Sequence, residues 1–251
     1  MQTTALSGKR RPAGNTATGW LKIIALIFMF IDHADKMLFP GIAEMRYLGR
    51  IAFPVYVWCM IVGFHYTRSV PKYLLRILAV GLLSQPLYMI ALNHTWTQPN
   101  VFLTLFLGLC ALWGIRMKKA GSHIWAPAAA LILAILLRTD YGWKGVLLFV
   151  LLYAVQDSRP GIAAVMVSYF MFWGSSYSLT QRLFGTPINL GALPEFLSQL
   201  LSPFLRMESY ALLSLPLILI PFSKDLKLPR WIGYALYPAH LVLLYILEQL
   251  F

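Results

Sequence analysis

Charged residues are scarce in this chain of 251 residues. Asp, Glu, Lys and Arg together make up only 12% of the chain, which is about half the fraction in an ordinary soluble domain. Acidic residues are the rarer kind, at 9 against 21 Lys and Arg. This composition excludes a large water-exposed surface, so any soluble part of the protein is small.

Cysteine is rare as well, because the chain contains only Cys59 and Cys110. Both lie within apolar runs, where a buried thiol usually packs as a small hydrophobic side chain. Two such residues predict neither a disulfide framework nor a cysteine metal site. We expect no metal site of another composition, since no predicted helix carries paired ligands at positions i and i+4.

Long basic segments are also missing, although the net charge is +12. The Lys and Arg residues are scattered through short loops, so nucleic acid is not expected as a partner. Their predicted role is topological, because Lys and Arg are retained on the cytoplasmic side of a bilayer.

Apolar runs of about twenty residues are abundant, and that length spans a hydrocarbon core of about 30 Å. The sequence therefore predicts an all-α, polytopic transmembrane helix bundle of about nine spans. It would form one membrane domain at 19–251, with membrane lipids as partners, after a flexible, basic, cytoplasmic segment at 1–18. The predicted helices are 20–39, 47–67, 72–92, 100–117, 123–138, 143–156, 161–175, 208–222 and 230–250.

Residues 176–207 do not fit a simple span. Their apolar part, "ALPEFLSQLLSPFL", is too short and contains two prolines. Irregular backbone at membrane depth is tolerated only where protein or water covers it. We therefore expect a re-entrant or interfacial segment here.

The basic residues of the loops predict the orientation of the chain. With the N-terminus inside, thirteen Lys and Arg residues fall in inner segments and six in outer segments. The inner set is Lys9, Arg10, Arg11, Arg68, Lys72, Arg76, Arg116, Lys118, Lys119, Arg159, Lys224, Lys227 and Arg230. The outer set is Lys36, Arg46, Arg138, Lys144, Arg182 and Arg206. We expect a multi-pass protein of the inner (cytoplasmic) membrane, with its N-terminus cytoplasmic and its C-terminus outside.

Ionisable residues interrupt the first span at "FMFIDHADKMLFP". At 1.5 Å per residue, Asp32 lies about 18 Å into this span, in the outer half of the bilayer. Arg50 enters the second span from the same side, so the two are expected to meet, as a structural ion pair or as part of a site. Other polar residues fall at similar depth and predict a polar cavity or separate packing contacts: Gln85, Asn100, Thr104, Tyr141, Lys144 and His240.

His33 and His240 are the candidate bases, because a histidine can transfer a proton near neutral pH. Asp32 and His33 are consecutive, so their side chains diverge by about 100° on a helix. Asp32 is therefore expected to serve Arg50, and His33 needs another partner. Asp35 and Lys36 have a second interpretation, as an interfacial pair at the helix end.

Seven segments of the sequence together resemble one family. They are "LKIIALIFMFIDHADKMLFP", "LGRIAFPVYVW", "KYLLRILAVGLLSQ", "NVFLTLFLG", "DYGWKGVLL", "SLPLILIPF" and "YALYPAHLVLLYIL". In this order, and over nearly the whole chain, they are similar to TraX proteins, a family named for the conjugative-pilin N-acetyltransferase and distantly similar to membrane acyltransferases. The most specific elements are Asp-His in the first helix, Gly-Arg with Phe-Pro in the second, and Tyr-Pro-Ala-His-Leu near the end.

The resemblance implies transfer of an acetyl or other acyl group from its coenzyme A thioester to an amine or hydroxyl acceptor. That acceptor is a protein resembling a pilin N-terminus or a glycan, and conjugation is the implied context. Under this hypothesis His33 is the general base, Asp32 and Arg50 form the charged floor of the site, and His240 is the second candidate. The secondary lining candidates are Asn100, Tyr141, Lys144, Gln85 and Asp35.

Acyl-coenzyme A is made in the cytoplasm, whereas the charge count places the polar cluster in the outer half of the bilayer. Either the pantetheine arm reaches through a channel from basic inner loops such as "RMKK", or the acyl group is relayed, or the orientation is inverted. Two other functions stay open. A proton-coupled transporter would also use intramembrane Asp, His and Arg, and an assembly factor without enzymatic activity would need no polar cavity.

Overall fold

The computed structural model describes residues 11–227 and 229–250. It confirms a mostly helical fold. The helices are α1 (Thr18–Met37), α2 (Ala43–Gly49), α3 (Ala52–Tyr66), α4 (Val70–Leu92), α5 (Val101–Met117), α6 (Ser122–Leu136), α7 (Gly142–Ala154), α8 (Arg159–Gly174), α9 (Glu195–Leu201), α10 (Leu215–Leu219) and α11 (Arg230–Leu250). Strands β1 (Arg182–Leu183) and β2 (Thr186–Pro187) pair antiparallel, with Arg182 opposite Pro187 and Leu183 opposite Thr186.

The helix predicted at 47–67 is in fact two helices, α2 and α3, which are separated at Arg50 and Ile51. Pro54 lies in the first turn of α3 and explains the break. It has no N–H to donate to the carbonyl of Arg50, four residues earlier, and its ring disfavours a continuous helix there. Arg50 lies at this break, and its side chain is 13% exposed.

The helix predicted at 208–222 is also different from expectation. Residues Met207–Ser214 form a 3₁₀ helix, and only Leu215–Leu219 are α-helical. Pro216 stands in the first turn of α10, where its missing N–H is tolerated, so it favours a new helix start over continuation of an earlier one. In the segment predicted to be re-entrant or interfacial, α9 is followed by a 3₁₀ turn at Ser202–Phe204.

Nine membrane spans are not confirmed by the described residues. By length and composition, only two of their helical stretches could cross a membrane, Ala43–Tyr66 and Val70–Leu92. Shorter apolar helices of 10–17 residues follow, among them α5, α6 and α7. The helix α6 nevertheless presents large apolar side chains outward, and Ile124 is 69% exposed and Leu136 70% exposed.

The hydrophobic core surrounds α3, the most buried helix described. Its side chains Val55, Trp58, Ile61 and Phe64 have no exposed surface. Helices α1, α5 and α7 pack against it, and α11 packs against α1 and α4. Because short connections make successive helices antiparallel, the end of α1 and the start of α3 lie at one end of the bundle, which we call the polar end. The start of α1, the end of α3 and the start of α4 lie at the other, which we call the basic end.

The predicted flexible segment at 1–18 falls largely on residues 1–10, which are outside the described residues. The part that follows packs against the bundle. Asn15 is fully buried, its side-chain amide donates to the carbonyl of Leu217, and its own carbonyl accepts from the indole of Trp58 at 2.7 Å. The chain is therefore fixed before α1 begins.

Candidate functional site

The side chain of Asp32 reaches the break between α2 and α3. Its Oδ1 accepts a hydrogen bond from Nη2 of Arg50 at 2.9 Å, so the predicted contact between these residues is present. Gly49 makes the approach possible, because a Cβ at this position would overlap the side chain of Asp32. Lys36, one turn further along α1, lies 3.8 Å from the other oxygen of Asp32.

Arg50 has a second carboxylate partner that the sequence did not reveal. Its Nη1 donates to Oε1 of Glu208 at 3.0 Å, and its Nε donates to the carbonyl of Arg46 at 3.3 Å. Glu208 is 3% exposed and belongs to the 3₁₀ helix before α10. With two carboxylates and one carbonyl engaged, the guanidinium joins α1, α2 and this 3₁₀ helix. Three of its five N–H donors are engaged in these contacts.

His33 points away from Asp32, as its neighbouring position on α1 predicts, and meets His240 of α11. Nδ1 of His33 lies 2.8 Å from Nε2 of His240, and the two rings are nearly parallel, at an interplanar angle of 16°. Both side chains are buried. The partner that His33 needed is thus the other candidate base.

The hydrogen atoms of this pair follow from its neighbours. Nδ1 of His240 lies 3.4 Å from the carbonyl of Leu236, which can only accept, and the tautomer of His240 with its hydrogen on Nδ1 satisfies this contact. In a neutral imidazole the other nitrogen is then an acceptor. In this tautomer Nδ1 of His33 donates to Nε2 of His240, and the lone pair of the His33 ring lies on Nε2.

A cavity of about 400 Å³ lies beside this cluster at the polar end. Five of the site residues predicted from the sequence line it: Asp32, His33, Arg50, Tyr141 and Lys144. Further lining comes from Lys36, Arg46, Tyr56, Tyr88, Asp140, Trp173, Tyr177, Glu208 and Tyr237, among others. The cavity thus combines a histidine base, an ion cluster and several phenol groups.

Aromatic side chains form one wall of this cavity. Tyr141 stacks on Phe53 with ring centroids 3.7 Å apart, and Trp173 packs edge-on against Phe53. Lys144 lies over the ring of Trp173 and donates to the hydroxyl of Ser176 at 2.9 Å. At the cavity rim Tyr177 follows α8, and burial raises the pKa of its phenol, which keeps it a neutral hydrogen-bond donor.

Three of the predicted lining residues do not line the cavity. Asn100 caps α5 by accepting from the N–H of Phe102 at 3.0 Å, and its own N–H donates to the side chain of Gln85 at 2.9 Å. Gln85 in turn donates to the carbonyl of Gln98, so these two residues hold the connection between α4 and α5. Asp35, buried at the end of α1, lies 3.9 Å from Arg46.

The structure gives Asp35 and Lys36, the residues also interpreted as an interfacial pair at the helix end, different partners. Lys36 is paired with Asp32, and Asp35 is paired with Arg46. Within residues 11–227 and 229–250, no group of three His, Cys, Asp or Glu side chains could hold a metal ion.

Comparison with known proteins is decisive for the family. The sequence profile described as TraX protein matches residues 17–248, nearly the whole chain. The chain belongs to the TraX family. The resemblance of the seven sequence segments is thereby confirmed, and both His33 and His240 lie within the matched TraX region.

Two curated relatives match parts of this TraX chain. An uncharacterized protein of Rickettsia prowazekii (strain Madrid E) is 34% identical over 96 residues, which cover 38% of the chain and 36% of that protein. A probable fimbrial assembly protein FimC (serogroup H1) of Dichelobacter nodosus is 36% identical over 107 residues, covering 37% of the chain and 43% of that protein. The chain thus spans less than half the length of either relative. No solved structure matches it.

Proposed function

We propose that this TraX chain is an integral membrane acyltransferase that moves an acetyl group from acetyl-coenzyme A to an amine or hydroxyl acceptor. One observation carries the proposal. Nδ1 of His33 lies 2.8 Å from Nε2 of His240, and His33 lines the polar cavity; in the tautomer with Nδ1 as the donor, its Nε2 is the base. A buried histidine oriented by a second group has the arrangement that general base catalysis requires.

The proposed reaction needs one proton transfer in each direction. Nε2 of His33 takes the proton of the acceptor amine or hydroxyl while the acceptor atom attacks the thioester carbonyl carbon. The tetrahedral intermediate then collapses, the carbon–sulfur bond breaks, and the thiolate of coenzyme A takes the proton from the His33 imidazolium. His33 is restored, and an amide or ester and free coenzyme A are the products.

Oxyanion stabilisation is best supplied by the phenols of the cavity. Arg50, the residue first considered for this role, is already bound to Asp32 and Glu208. Tyr56, Tyr141 and Tyr237 line the cavity and are neutral donors at physiological pH. A neutral donor aimed at the developing charge is the usual form of such stabilisation. In this proposal Asp32 and Arg50 therefore fix the shape of the site.

The proposal includes a multi-pass location in the inner membrane, with the N-terminus cytoplasmic. It is supported by the low charge of the chain, the two long apolar helices and the outward apolar face of α6. Large exposed apolar surfaces of this kind mark membrane or protein contact. The polar end of the bundle then faces outward, and the basic end faces the cytoplasm.

The acceptor is proposed to be a pilin-like protein N-terminus or a glycan hydroxyl. The similarity to a protein named as a probable fimbrial assembly protein supports the pilus context, and so does the family itself. The polar cavity at the outer end is suited to an acceptor that arrives from outside. A conjugation system is the corresponding biological setting.

Labelled acetyl-coenzyme A tests the proposed activity. The purified protein in lipid nanodiscs is incubated with the donor, with and without a pilin N-terminal peptide or a glycan. We expect release of coenzyme A and transfer of label to one acceptor. If neither hydrolysis nor transfer exceeds that of a His33→Ala control, the enzyme proposal is wrong.

A proton-coupled carrier is the second candidate, and the His33–His240 contact is the observation that favours it. Two histidines in hydrogen-bond contact can pass a proton along the interior of a bundle. Proteoliposomes with a trapped pH dye distinguish the two functions. Proton movement in the absence of any acyl donor would favour the carrier.

A further inference from the structure

A second and larger cavity, of about 980 Å³, opens at the basic end of the bundle. Its walls come from α1, α3, α4, α5 and α11, and most of them are apolar. The apolar lining includes Leu26, Met29, Met60, Ile77 and Leu105. A cavity of this volume accommodates a large ligand.

Four cations line the same cavity: Lys22, Arg68, Lys72 and Arg76. They come from the start of α1, the connection between α3 and α4, and the first turns of α4. The guanidinium of Arg76 is oriented by a hydrogen bond from its Nε to the carbonyl of Lys72 at 3.1 Å. Four cations on the lining of one cavity form a site for an anion that carries several charges.

The carboxylates that form ion pairs at the polar end do not neutralise these cations. Asp32, Asp35 and Glu208 pair with Lys36, Arg46 and Arg50, and with none of the four. The two cavities therefore differ in charge. The polar cavity contains carboxylates beside its cations, whereas the described residues that line the larger cavity include cations and no Asp or Glu. A phosphate-bearing ligand is favoured only in the larger one.

The two cavities adjoin each other in the middle of the bundle. Four residues line both of them: Met29, Tyr56, Val101 and Tyr237. Lys22 and His33 are eleven positions apart on α1, which corresponds to about 16 Å along the helix axis. A thin, extended chain that starts at the cations can therefore end at the imidazole of His33.

We propose that the larger cavity is the binding site of the acyl donor, which enters from the end opposite to the acceptor. The phosphate groups of the coenzyme A thioester bind at Arg68, Lys72 and Arg76. The acyl-pantetheine arm passes between Met29, Tyr56 and Tyr237, and the thioester reaches His33. This inference rests on the proposed function and adds the donor site and its direction of entry.

The basic segment singled out in the sequence, "RMKK", is not part of the proposed donor site. Arg116 donates to the carbonyl of Phe64 at 3.3 Å and packs over the Phe64 ring. Lys118 and Lys119 are exposed, and neither lines the larger cavity. These two lysines therefore provide a matched control, because by the predicted topology they lie on the same side of the membrane.

Coenzyme A binding tests the proposed site directly. Titration calorimetry is done on the full chain in phosphatidylcholine nanodiscs, for the wild type, a triple variant (Arg68→Gln, Lys72→Gln, Arg76→Gln) and a control (Lys118→Gln, Lys119→Gln). We expect the triple variant to bind coenzyme A roughly tenfold or more weakly, since it loses charge-assisted hydrogen bonds to phosphate. The control should match the wild type. Equal affinity in the triple variant and the wild type would overturn the proposal.

Pantetheine is the arm of coenzyme A without the phosphate groups. Its binding distinguishes a variant that has lost the anion site from a variant that is misfolded. Its weaker binding should be the same in the wild type and in the triple variant. Repeating the titrations in nanodiscs with added phosphatidylglycerol tests an anionic lipid as the alternative source of phosphate. The donor site is refuted if coenzyme A fails to bind in phosphatidylcholine, or if pantetheine binding falls as much as coenzyme A binding.

Failure of the catalytic proposal has a different signature. One such result is coenzyme A binding that requires Arg68, Lys72 and Arg76, without any turnover of acetyl-coenzyme A. It would support the donor site and contradict the proposed acyltransferase activity. When turnover is present, the triple variant should raise KM for acetyl-coenzyme A and leave kcat at saturation unchanged, because the three cations are remote from the reacting thioester.

Discussion

His33 and His240 are 207 positions apart in the chain, and their ring nitrogens lie 2.8 Å from each other. The contact joins α1 to α11, the first and last helices of the described fold. It gives the two histidines different roles, because only His33 also lines the polar cavity. In the proposed function His240 orients His33, and His33 is the base.

The first prediction concerns these unequal roles. His33→Ala should remove the base and lower kcat by about 10²–10⁴-fold, the range for loss of a general base. His240→Ala should lower kcat by a smaller factor, because Nε2 of His33 is still present and only the orientation of the His33 ring is lost. Initial rates with labelled acetyl-coenzyme A measure both effects.

The control for this prediction is His123→Ala, since His123 is exposed at the start of α6 and lines neither of the two cavities described above. Its activity should equal that of the wild type. A folded His33→Ala protein with full activity would contradict the assignment. If His240→Ala is then the inactive variant, His240 becomes the base.

A second prediction follows from the position of Arg50 between Asp32 and Glu208. Arg50→Gln leaves the buried Glu208 without its cation and Asp32 with only the more distant Lys36, and it should destabilise the protein by about 3–5 kcal/mol. Lys36→Gln should cost at most about 1 kcal/mol, because Lys36 is more exposed and 3.8 Å from Asp32. Thermal unfolding in one detergent compares the two variants.

A combined substitution shows whether the loss of stability in Arg50→Gln comes from the unpaired charges. Adding Asp32→Asn and Glu208→Gln to Arg50→Gln removes all three charges together. The triple variant should recover part of the stability that Arg50→Gln loses. A triple variant less stable than Arg50→Gln would show that the packing of these side chains matters more than their charge.

The helices could be predicted from the sequence because their signals are local. Apolar runs mark α1, α4 and α5, and nearby Pro, Gly and Asn mark their ends. The break in the predicted helix 47–67 was missed, although Pro54 was a possible signal, because apolar residues continue on both sides of it. The 3₁₀ form of Met207–Ser214 has no comparable local signal.

In the candidate site, the sequence predicted only the contact that follows from two residues lying at the same depth in the bundle. Asp32 and Arg50 were expected at the same level, and their side chains meet. The contact of His33 with His240 depends on where α11 packs, which no local pattern encodes. Glu208 was missed because an acidic residue at the start of an apolar run is also an ordinary feature of a helix N-terminus.

A third prediction distinguishes a structural role of Asn100 from a role in substrate binding. Asn100→Ala removes the cap of α5 and should destabilise the protein by about 1 kcal/mol. KM for acetyl-coenzyme A should not change, because Asn100 lines neither of the described cavities. Tyr141→Phe is the comparison, since Tyr141 lines the polar cavity and should affect turnover more than stability. A raised KM with unchanged stability in Asn100→Ala would restore this residue to the binding site.

A fourth prediction concerns orientation in the membrane. A reporter that is active only in the cytoplasm, fused to the C-terminus, should give no signal, and a periplasmic reporter at the same place should be active. A cytoplasmic signal would invert the orientation. The acceptor and donor ends would then exchange sides, which conflicts with a donor made in the cytoplasm.

The last prediction uses Gly49, which lies against Asp32 at the end of α2. In an ordinary helix Gly→Ala is favourable by about 1 kcal/mol. Here the added methyl group would overlap the side chain of Asp32, which cannot swing away while Arg50 holds it. Gly49→Ala should therefore destabilise the protein by about 1–3 kcal/mol and lower activity, since it pushes α1 and α2 apart.

Gly233→Ala is the control for this effect. Gly233 lies in α11, where an added Cβ would meet no atom within 4 Å, so this variant should be as stable as the wild type or slightly more stable. Unfolding of both variants is followed by temperature in the same detergent. If Gly49→Ala is also as stable as the wild type, the close approach of α2 to Asp32 is not needed, and the ion cluster tolerates a wider separation of the helices.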